Sequence, residues 1–406
     1  MAEAMNYIDR LVAELCPDGV EYRPLGEIAD IGTGKSDKKD AQESGQYPFY
    51  VRSKTILRSS KYLYDETAIV IPGEGGVGEI FHFVSGKYDL HQRAYRVSFT
   101  VDEMNPKFGY YYISSFFKEY INRHAVEATV KSIRKPMLVK FEVPVPPLEI
   151  QEAIVEILDK FTNLEAELEA ELEARTLQYE YYRGSLFGAL KDPATGLPAI
   201  AGLVKTLCPD GVEYRSLKDV VAKNYGGGTP SKSKAEYWGG GIPWASVGDL
   251  SDDVLEVTDT RSKITEEGVK GSSTNVVPAG SVIVAIKINP GRMKIAGMDL
   301  AINQDIRGLV LNDSMNARFL TYYFRTLVFA GHGTIVKSIT NKHLMETKIP
   351  VPPMEIQEAI VDILDRFDAL TSSLSEGLPA ELAARRSQYE YYRDQLLTFP
   401  RKGENQ

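Results

Sequence analysis

The sequence predicts a mixed α/β protein: two strand-rich domains of unlike sequence, each followed by a long amphipathic helix, with the two helices packed antiparallel in a pseudo-two-fold arrangement. Three observations carry this expectation. The chain is written twice at its framework: residues 15–22 read LCPDGVEY and return unchanged as 207–214, residues 143–161 (VPVPPLEIQEAIVEILDKF) return as 349–367 (IPVPPMEIQEAIVDILDRF), and QYEYYR at 178–183 returns at 388–393. A long duplication is implied. Between these islands, residues 24–128 and 216–334 share little, yet both carry short β-branched and aromatic runs bounded by turn residues. After each Pro-Val-Pro-Pro, apolar residues fall at steps of three and four, the period of a helix with a coiled-coil-like seam.

Taken in order, the first domain spans 1–149, with strands expected at 67–71, 79–84 and 94–101 and a short helix at 108–123. The first arm, 150–190, carries its seam on Ile150, Ile154, Ile157, Phe161, Leu164, Leu168, Leu172, Tyr179, Tyr182 and Leu186, with Arg175 filling one slot. Such a helix of about 38 residues spans about 57 Å, far beyond one small domain, so it needs a partner seam, and its own repeat is the nearest candidate. A linker at 191–214 leads to the second domain, 215–355, with strands expected at 281–288 and 308–311 and a helix at 317–327. The second arm, 356–399, has four extra residues around Gly377-Leu378-Pro379. Pro379 removes a helical N–H and is expected to kink or split the rod. Residues 400–406 form a tail.

Composition narrows the function classes. With 406 residues, 43% hydrophobic and 25% charged, the chain is ordinary globular material for two to four domains. A formal charge of −9 argues against coating nucleic acid by bulk electrostatics. The acid is not evenly spread, however. Residues 142–192 carry 12 Asp and Glu against 4 Lys and Arg, whereas residues 24–141 carry 17 Lys and Arg against 14 acids, and 216–345 carry 15 against 12. The variable domains are mildly basic and the arms acidic. The two cysteines, Cys16 and Cys208, are copies of one feature in LCPDGVEY, which points away from a disulfide or metal cluster and toward a reducing compartment. No apolar run approaches a membrane span, and the start, MAEAMNYIDRLVAEL, is acidic where a secretory leader is basic. A cytoplasmic protein without membrane contact is expected.

The motifs that resemble catalytic ones do not hold. Gly73, Gly75 and Gly78 satisfy G-x-G-x-x-G after a strand, but EIFHFVSGKY follows and alternates like another strand, so a strand-to-strand loop is expected rather than a dinucleotide site. Gly75 and Gly76 remain candidates for close approach to a DNA backbone. Gly34-Lys35-Ser36 ends like a P-loop, yet the position five residues earlier is Ala29 and no helix follows. Asp18, Glu21 and Arg23, with Asp210, Glu213 and Arg215, echo a nuclease motif at too short a separation, and turn chemistry at Pro-Asp-Gly accounts for them. His82, His91, His124, His332 and His343 show no ligand spacing. There is no Gly-x-Ser-x-Gly elbow and no Asn/Asp-Pro-Pro-aromatic methyltransferase motif. Nothing assembles an active site.

What the variable domains do carry is matched polar loops. GTGKSDKK, ending at Lys39 and containing Lys35 and Lys38, and YGGGTPSKSK, containing Thr229, Lys232 and Lys234 and followed by Trp244, occupy corresponding places after each LCPDGVEY. Lys131 and Ser132 match Lys337 and Ser338 just before each arm, and His91, Gln92 and Arg93 sit where Asn303, Gln304 and Asp305 sit in the second half. Each loop alone reads as a polar turn. As two corresponding sets on a duplicated frame they read as DNA contacts, since Arg, Gln, Asn and His match base edges while Lys, Ser and backbone N–H groups hold phosphates.

These residues carry a resemblance. The islands PVPPLEIQEAIV and PVPPMEIQEAIV, both copies of QYEYYR, and GGGTPSKSK followed by Gly241-Ile242-Pro243-Trp244 resemble the specificity subunits of type I restriction-modification systems over nearly the whole chain. The repeated EAEL at 165–172 looks like the helical-repeat subgroup of that family. The resemblance implies two target-recognition domains that each read one half of a split, asymmetric double-stranded DNA site. It also implies two helical arms that space those domains and bind modification subunits, two of them, with restriction subunits reached through these. No catalysis is implied in this chain and no cofactor: S-adenosylmethionine, ATP and Mg belong to the partner subunits. The competing classes are a stand-alone DNA-binding regulator, against which the unlike domains argue because they do not suit a palindrome, and a pure scaffold, which needs no matched basic loops.

Overall fold

The repeated strings close each variable stretch on itself. Tyr22–Pro24, at the end of LCPDGVEY, pairs antiparallel with Glu142–Pro144, at the start of Pro-Val-Pro-Pro, with Tyr22 opposite Pro144. In the second half Tyr214–Ser216 pairs with Lys348–Pro350 in the same way, with Tyr214 opposite Pro350. A domain whose two ends are stitched by a short ribbon tolerates wide variation between them. The computed structural model describes residues 2–123, 132–252, 254–329, 338–371 and 377–403, and the chain falls into two units: residues 1–167 with 384–406, and residues 168–383.

In the first unit a six-stranded sheet runs in the order Ala29–Thr33, Ala94–Phe99, Tyr64–Pro72, His82–Leu90, Tyr47–Tyr50, Leu57–Ser59. Only the pairing of Tyr47–Tyr50 with His82–Leu90 is parallel. The central strand shows why a continuous apolar run is needed. Ile69 and Ile71 join a core with Phe108, Tyr111 and Phe117, while Ala68 and Val70 join a second core with Tyr50, Tyr88 and Leu90 on the other face. The expected strand at 79–84 begins later, at His82, so the glycine-rich segment after Pro72 is the strand-to-strand loop that the sequence suggests.

In the second unit two sheets share the work, five strands headed by Val221–Gly226 and four built around Trp238–Ala245. The alternation is the same: Val282 and Val284 face one core, Ile283 and Ala285 another. The run expected to continue to Ile288 stops at Ala285.

Each variable domain docks on an arm through one helix, Pro106–Arg123 or Ala317–Phe324. Asn105 and Asn316 accept from the first free backbone N–H groups of these helices, which the four unpaired donors of a helix start require. The Gln of each EIQEAIV, Gln151 or Gln357, is fully buried beneath that cap. Gln151 donates to the carbonyls of Glu103 and Pro146 and accepts from the Asn105 N–H; Gln357 donates to Ser314 and Pro352 and accepts from Asn316. Tyr111 donates to Asp159 on the first arm and Tyr322 to Asp365 on the second.

The first arm is one unbroken helix, Leu148–Lys191, of 44 residues. The second is two helices, Met354–Thr371 and Leu378–Leu396, with Gly377 at φ +89° before Pro379, which sits in a first turn where its missing N–H costs nothing. In the first unit Phe161 meets Tyr389 and Tyr392, each with ring centres at 6.1 Å, and Glu165 pairs with Arg386 at 2.6 Å, an antiparallel run. In the second unit Phe367, the copy of Phe161, meets Tyr179 and Tyr182 of the other QYEYYR at 6.3 and 5.1 Å. A helix precedes each LCPDGVEY, Ala2–Leu15 and Pro198–Leu207, which string comparison alone does not show. Among the described residues no helix is long and apolar enough to cross a membrane.

Candidate nucleic-acid interface

In the first lobe three segments converge at one end of the sheet: the 34–39 loop, the 73–78 loop after the central strand, and the 91–93 turn. Gly34 packs so closely on the Leu90 and His91 carbonyls that a Cβ there would lie 1.8 Å from Leu90 O. Ser36 continues the seam, its backbone bridging His91 and its hydroxyl donating to buried Asp89. This fixed base leaves Lys35, Lys38 and Lys39 exposed. Glu74 is gripped by Arg93 at 2.9 Å and Arg52 at 3.0 Å, and the hydrogen bond from Arg93 holds its carboxyl below the usual range. Lys38, Arg52, Ser53, Glu74, Gly75 and His91 line a cleft of about 220 Å³ with Val51. Gln92 is exposed and donates to Asp37 at 3.2 Å.

The second lobe repeats the frame with other chemistry. Gly227 lies against the Asn303 carbonyl as Gly34 does against Leu90. Exposed Thr229 donates to Gln304, Lys232 is exposed, and Lys234 lies over the Tyr237 ring with a hydrogen bond of 2.9 Å to its hydroxyl. The loop after the central strand bridges Ser338 through Lys287, as the first lobe's loop bridges Ser132 through Glu74. Lys287 pairs with Asp305 at 2.6 Å. Thus Glu74 with Arg93 and Lys287 with Asp305 occupy equivalent places with the charges reversed.

Equivalent turns support both sets. Arg93 N–H donates to His91 Nδ1 at 2.9 Å and Asp305 N–H to Asn303 Oδ1 at 3.0 Å, and each turn closes with Ala94 or Ile306 donating to the carbonyl of the same residue. The frame is common to both lobes and the exposed side chains differ.

Residues 17–174 and 209–384 each match the family described as type I restriction modification DNA specificity domain. The chain belongs to this family. It is 30% identical over 428 aligned residues to the type I restriction enzyme EcoR124I/EcoR124II specificity subunit of Escherichia coli, covering 98% of both chains. It is 26% identical to the putative specificity subunit S.HindORF215P of Haemophilus influenzae, covering 94% of this chain and 96% of the relative. In fold it is similar to the crystal structure of a type I restriction-modification S subunit from M. genitalium, with a TM-score of 0.57 at 17% identity over 93% of this chain and 96% of that one. The family is one of non-catalytic DNA-recognition subunits, consistent with the absence of any catalytic constellation in the sequence.

For a specificity subunit, the sequence-derived contacts separate into two groups. Lys35, Lys38, Lys39, Gly75, Gln92, Arg93, Thr229, Lys232, Lys234 and Gln304 are exposed around the converging loops, and Gly76, Ser132 and Ser338 are half-buried there. Three others need correction. His91 at 3%, Asn303 at 7% and Trp244 at 8% exposure are interior. The first two hold their turns, and Trp244 donates its ring N–H to the Gly228 carbonyl at 3.0 Å while packing edge-on against Trp238. Burial and these bonds make them part of the frame of the loops rather than exposed surface. Lys131 and Lys337 lie outside the described residues. The sequence pattern did not single out Arg52, Glu74, Lys287 or Ile288; Glu74 stands next to Gly75, and the other three carry no local signal.

Proposed function

We propose that this specificity subunit reads a split, asymmetric double-stranded DNA sequence, one half with each lobe. The observation that carries the reading is the pair of equivalent loop clusters: one backbone frame presents Glu74, Arg93 and Arg52 in one lobe and Lys287 and Asp305 in the other. Exposed Lys35, Lys38, Lys39 and Lys232 would hold phosphates, with Gly75 and Gly76 close to the backbone, while Gln92, Arg93, Gln304 and Thr229 face base edges. The mildly basic variable stretches then meet DNA and the acidic arms meet protein.

Modification subunits, two of them, would dock on features the two arms share. In each QYEYYR the outer tyrosines pack on Phe367 or Phe161, but Tyr181 and Tyr391 remain 70% and 61% exposed, each edge-on to the neighbouring Tyr182 or Tyr392. Restriction subunits would join through the modification subunits, and S-adenosylmethionine, ATP and Mg would be bound by those partners in the cytoplasm. The test is co-expression of the full chain with its modification subunit, followed by sequencing of methylated bases in the host DNA. One split sequence is expected, with none when either partner is missing; an unsplit or palindromic sequence contradicts the reading.

A further inference from the structure

Ile288 stands out in the second lobe. Among the described residues it alone, glycines aside, has a positive φ, at 71°. Asn289 N–H donates to the Lys287 carbonyl at 2.9 Å, so Ile288 is the centre of a three-residue γ-turn of the strained, positive-φ kind. A β-branched side chain is poorly suited to that conformation. Ile288 is also 55% exposed, so burial does not repay the strain.

The frame around it does not require isoleucine. The equivalent position in the first lobe is Gly75, at φ +72°, on a loop tied down in the same way: Ile133 N–H donates to the Gly73 carbonyl and Ile339 N–H to the Ile286 carbonyl, both at 2.8 Å. Ile286 N–H donates to the Asp305 carbonyl at 2.8 Å, Gly291 N–H to Ala285 at 2.9 Å, and Lys287 Nζ reaches Asp305 at 2.6 Å. These bonds fix the turn from both sides and hold an apolar side chain outward among exposed polar ones. Strain that persists where the surrounding structure over-determines it, and where folding gains nothing, marks a functional position.

We propose that Ile288 is a specificity-determining residue of the second lobe, making an apolar contact with a base edge in DNA of the kind a thymine methyl group offers. Among base edges in the major groove only thymine presents a methyl, so an isoleucine there discriminates without a hydrogen bond. The inference rests on the proposed function, since it takes the second lobe as a reader of one half-site. In the first lobe Gly75 leaves that place empty and the Glu74–Arg93–Arg52 cluster supplies polar readout instead.

The test uses the full chain with its modification subunit and duplexes carrying the methylated sequence, in which each thymine of one half-site is replaced in turn by uracil, removing only the methyl. The wild-type complex should lose about fourfold in methylation rate at one thymine. Ile288→Gly should lose that sensitivity and accept more bases at that position, with the other half-site unchanged and thermal stability unchanged or raised because glycine is at ease at this φ. Ile288→Asn, which also tolerates the turn, controls for backbone effects and should likewise lose the uracil response, whatever base its own amide then favours. If wild type methylates a split sequence but neither variant differs from it in sequence or in uracil response, the Ile288 inference is overturned while the reading beneath it stands. If wild type methylates no split sequence, that reading itself fails.

Discussion

Gln151 and Gln357 do for the fold what their polar character hides. Each is fully buried, and each satisfies two carbonyls and one N–H between the arm and the cap of the docking helix. Replacing either by alanine leaves those backbone groups buried without partners and opens a cavity. Gln151→Ala and Gln357→Ala are therefore each expected to lower stability by about 2–4 kcal/mol, read from denaturant unfolding of the purified chain; a loss under about 0.5 kcal/mol would show that water replaces the amide. His91 offers a second test. Burial pushes the affinities of both His82 and His91 for protons down, with the positive charge of Arg52 adding to the effect at His91. Their unfolded-state pKa is about 6.5, so below it the unfolded chain binds more protons than the folded one. The stabilisation is complete above about pH 6.5 and is lost as the pH falls from there toward the lower native values. The second lobe uses Asn303 in the place of His91 with the same backbone hydrogen bond. His91→Asn should keep the fold and flatten the fall in melting temperature between about pH 6.5 and 5, measured against wild type; an unchanged pH profile contradicts the assignment.

Among the elements, the arms were the most legible and their interruptions the least. Steps of three and four placed the seam of Leu148–Lys191, where Leu168, Tyr179 and Leu186 are buried, and even Arg175 is held half-buried in its slot by Gln178 and Glu171. Pro379 announced a break, and the second arm is two helices, the later one opening just after Gly377 at φ +89°. The helices Ala2–Leu15 and Pro198–Leu207 escaped notice because their copies share apolar spacing, Ile8 with Ile200 and Val12 with Val204, rather than a string. The run 281–288 is apolar nearly throughout, and composition cannot reveal that the chain leaves the sheet after Ala285 to enter a γ-turn. The unbroken first arm carries its own prediction. A third EAEL after Leu172 adds about one turn plus 40° and about 6 Å, while B-DNA advances about 3.4 Å and about 35° per base pair. Rotation should decide, since a lobe facing the wrong groove cannot bind while bent DNA absorbs about 3 Å. The insertion is expected to keep both half-site words and widen the unread spacer by one base pair in the methylated sequence; an unchanged spacer would mean that the arm does not set it.

At the scale of the whole molecule, duplication gave away the design and divergence concealed the site. Identical strings identified the parts that must stay constant: the ribbons that close each domain, the buried glutamines and the tyrosines of the arms. The loops could be singled out because they recur at matching positions. Which of their residues face outward was not legible, because a buried His91 or Asn303 and an exposed Gln92 or Gln304 are neighbours of similar polarity. The reversed pairs Glu74 with Arg93 and Lys287 with Asp305 emerge only when the two lobes are compared residue by residue in space. We read the two lobes, on these pairs, as independent readers on one repeated frame. The most direct measurement is methylome sequencing of cells in which residues 24–141 have been exchanged for those of another family member, with the modification subunit present. One half of the methylated sequence should change while the other half and the spacer stay as they were; a change in both halves, or in neither, would contradict the claim.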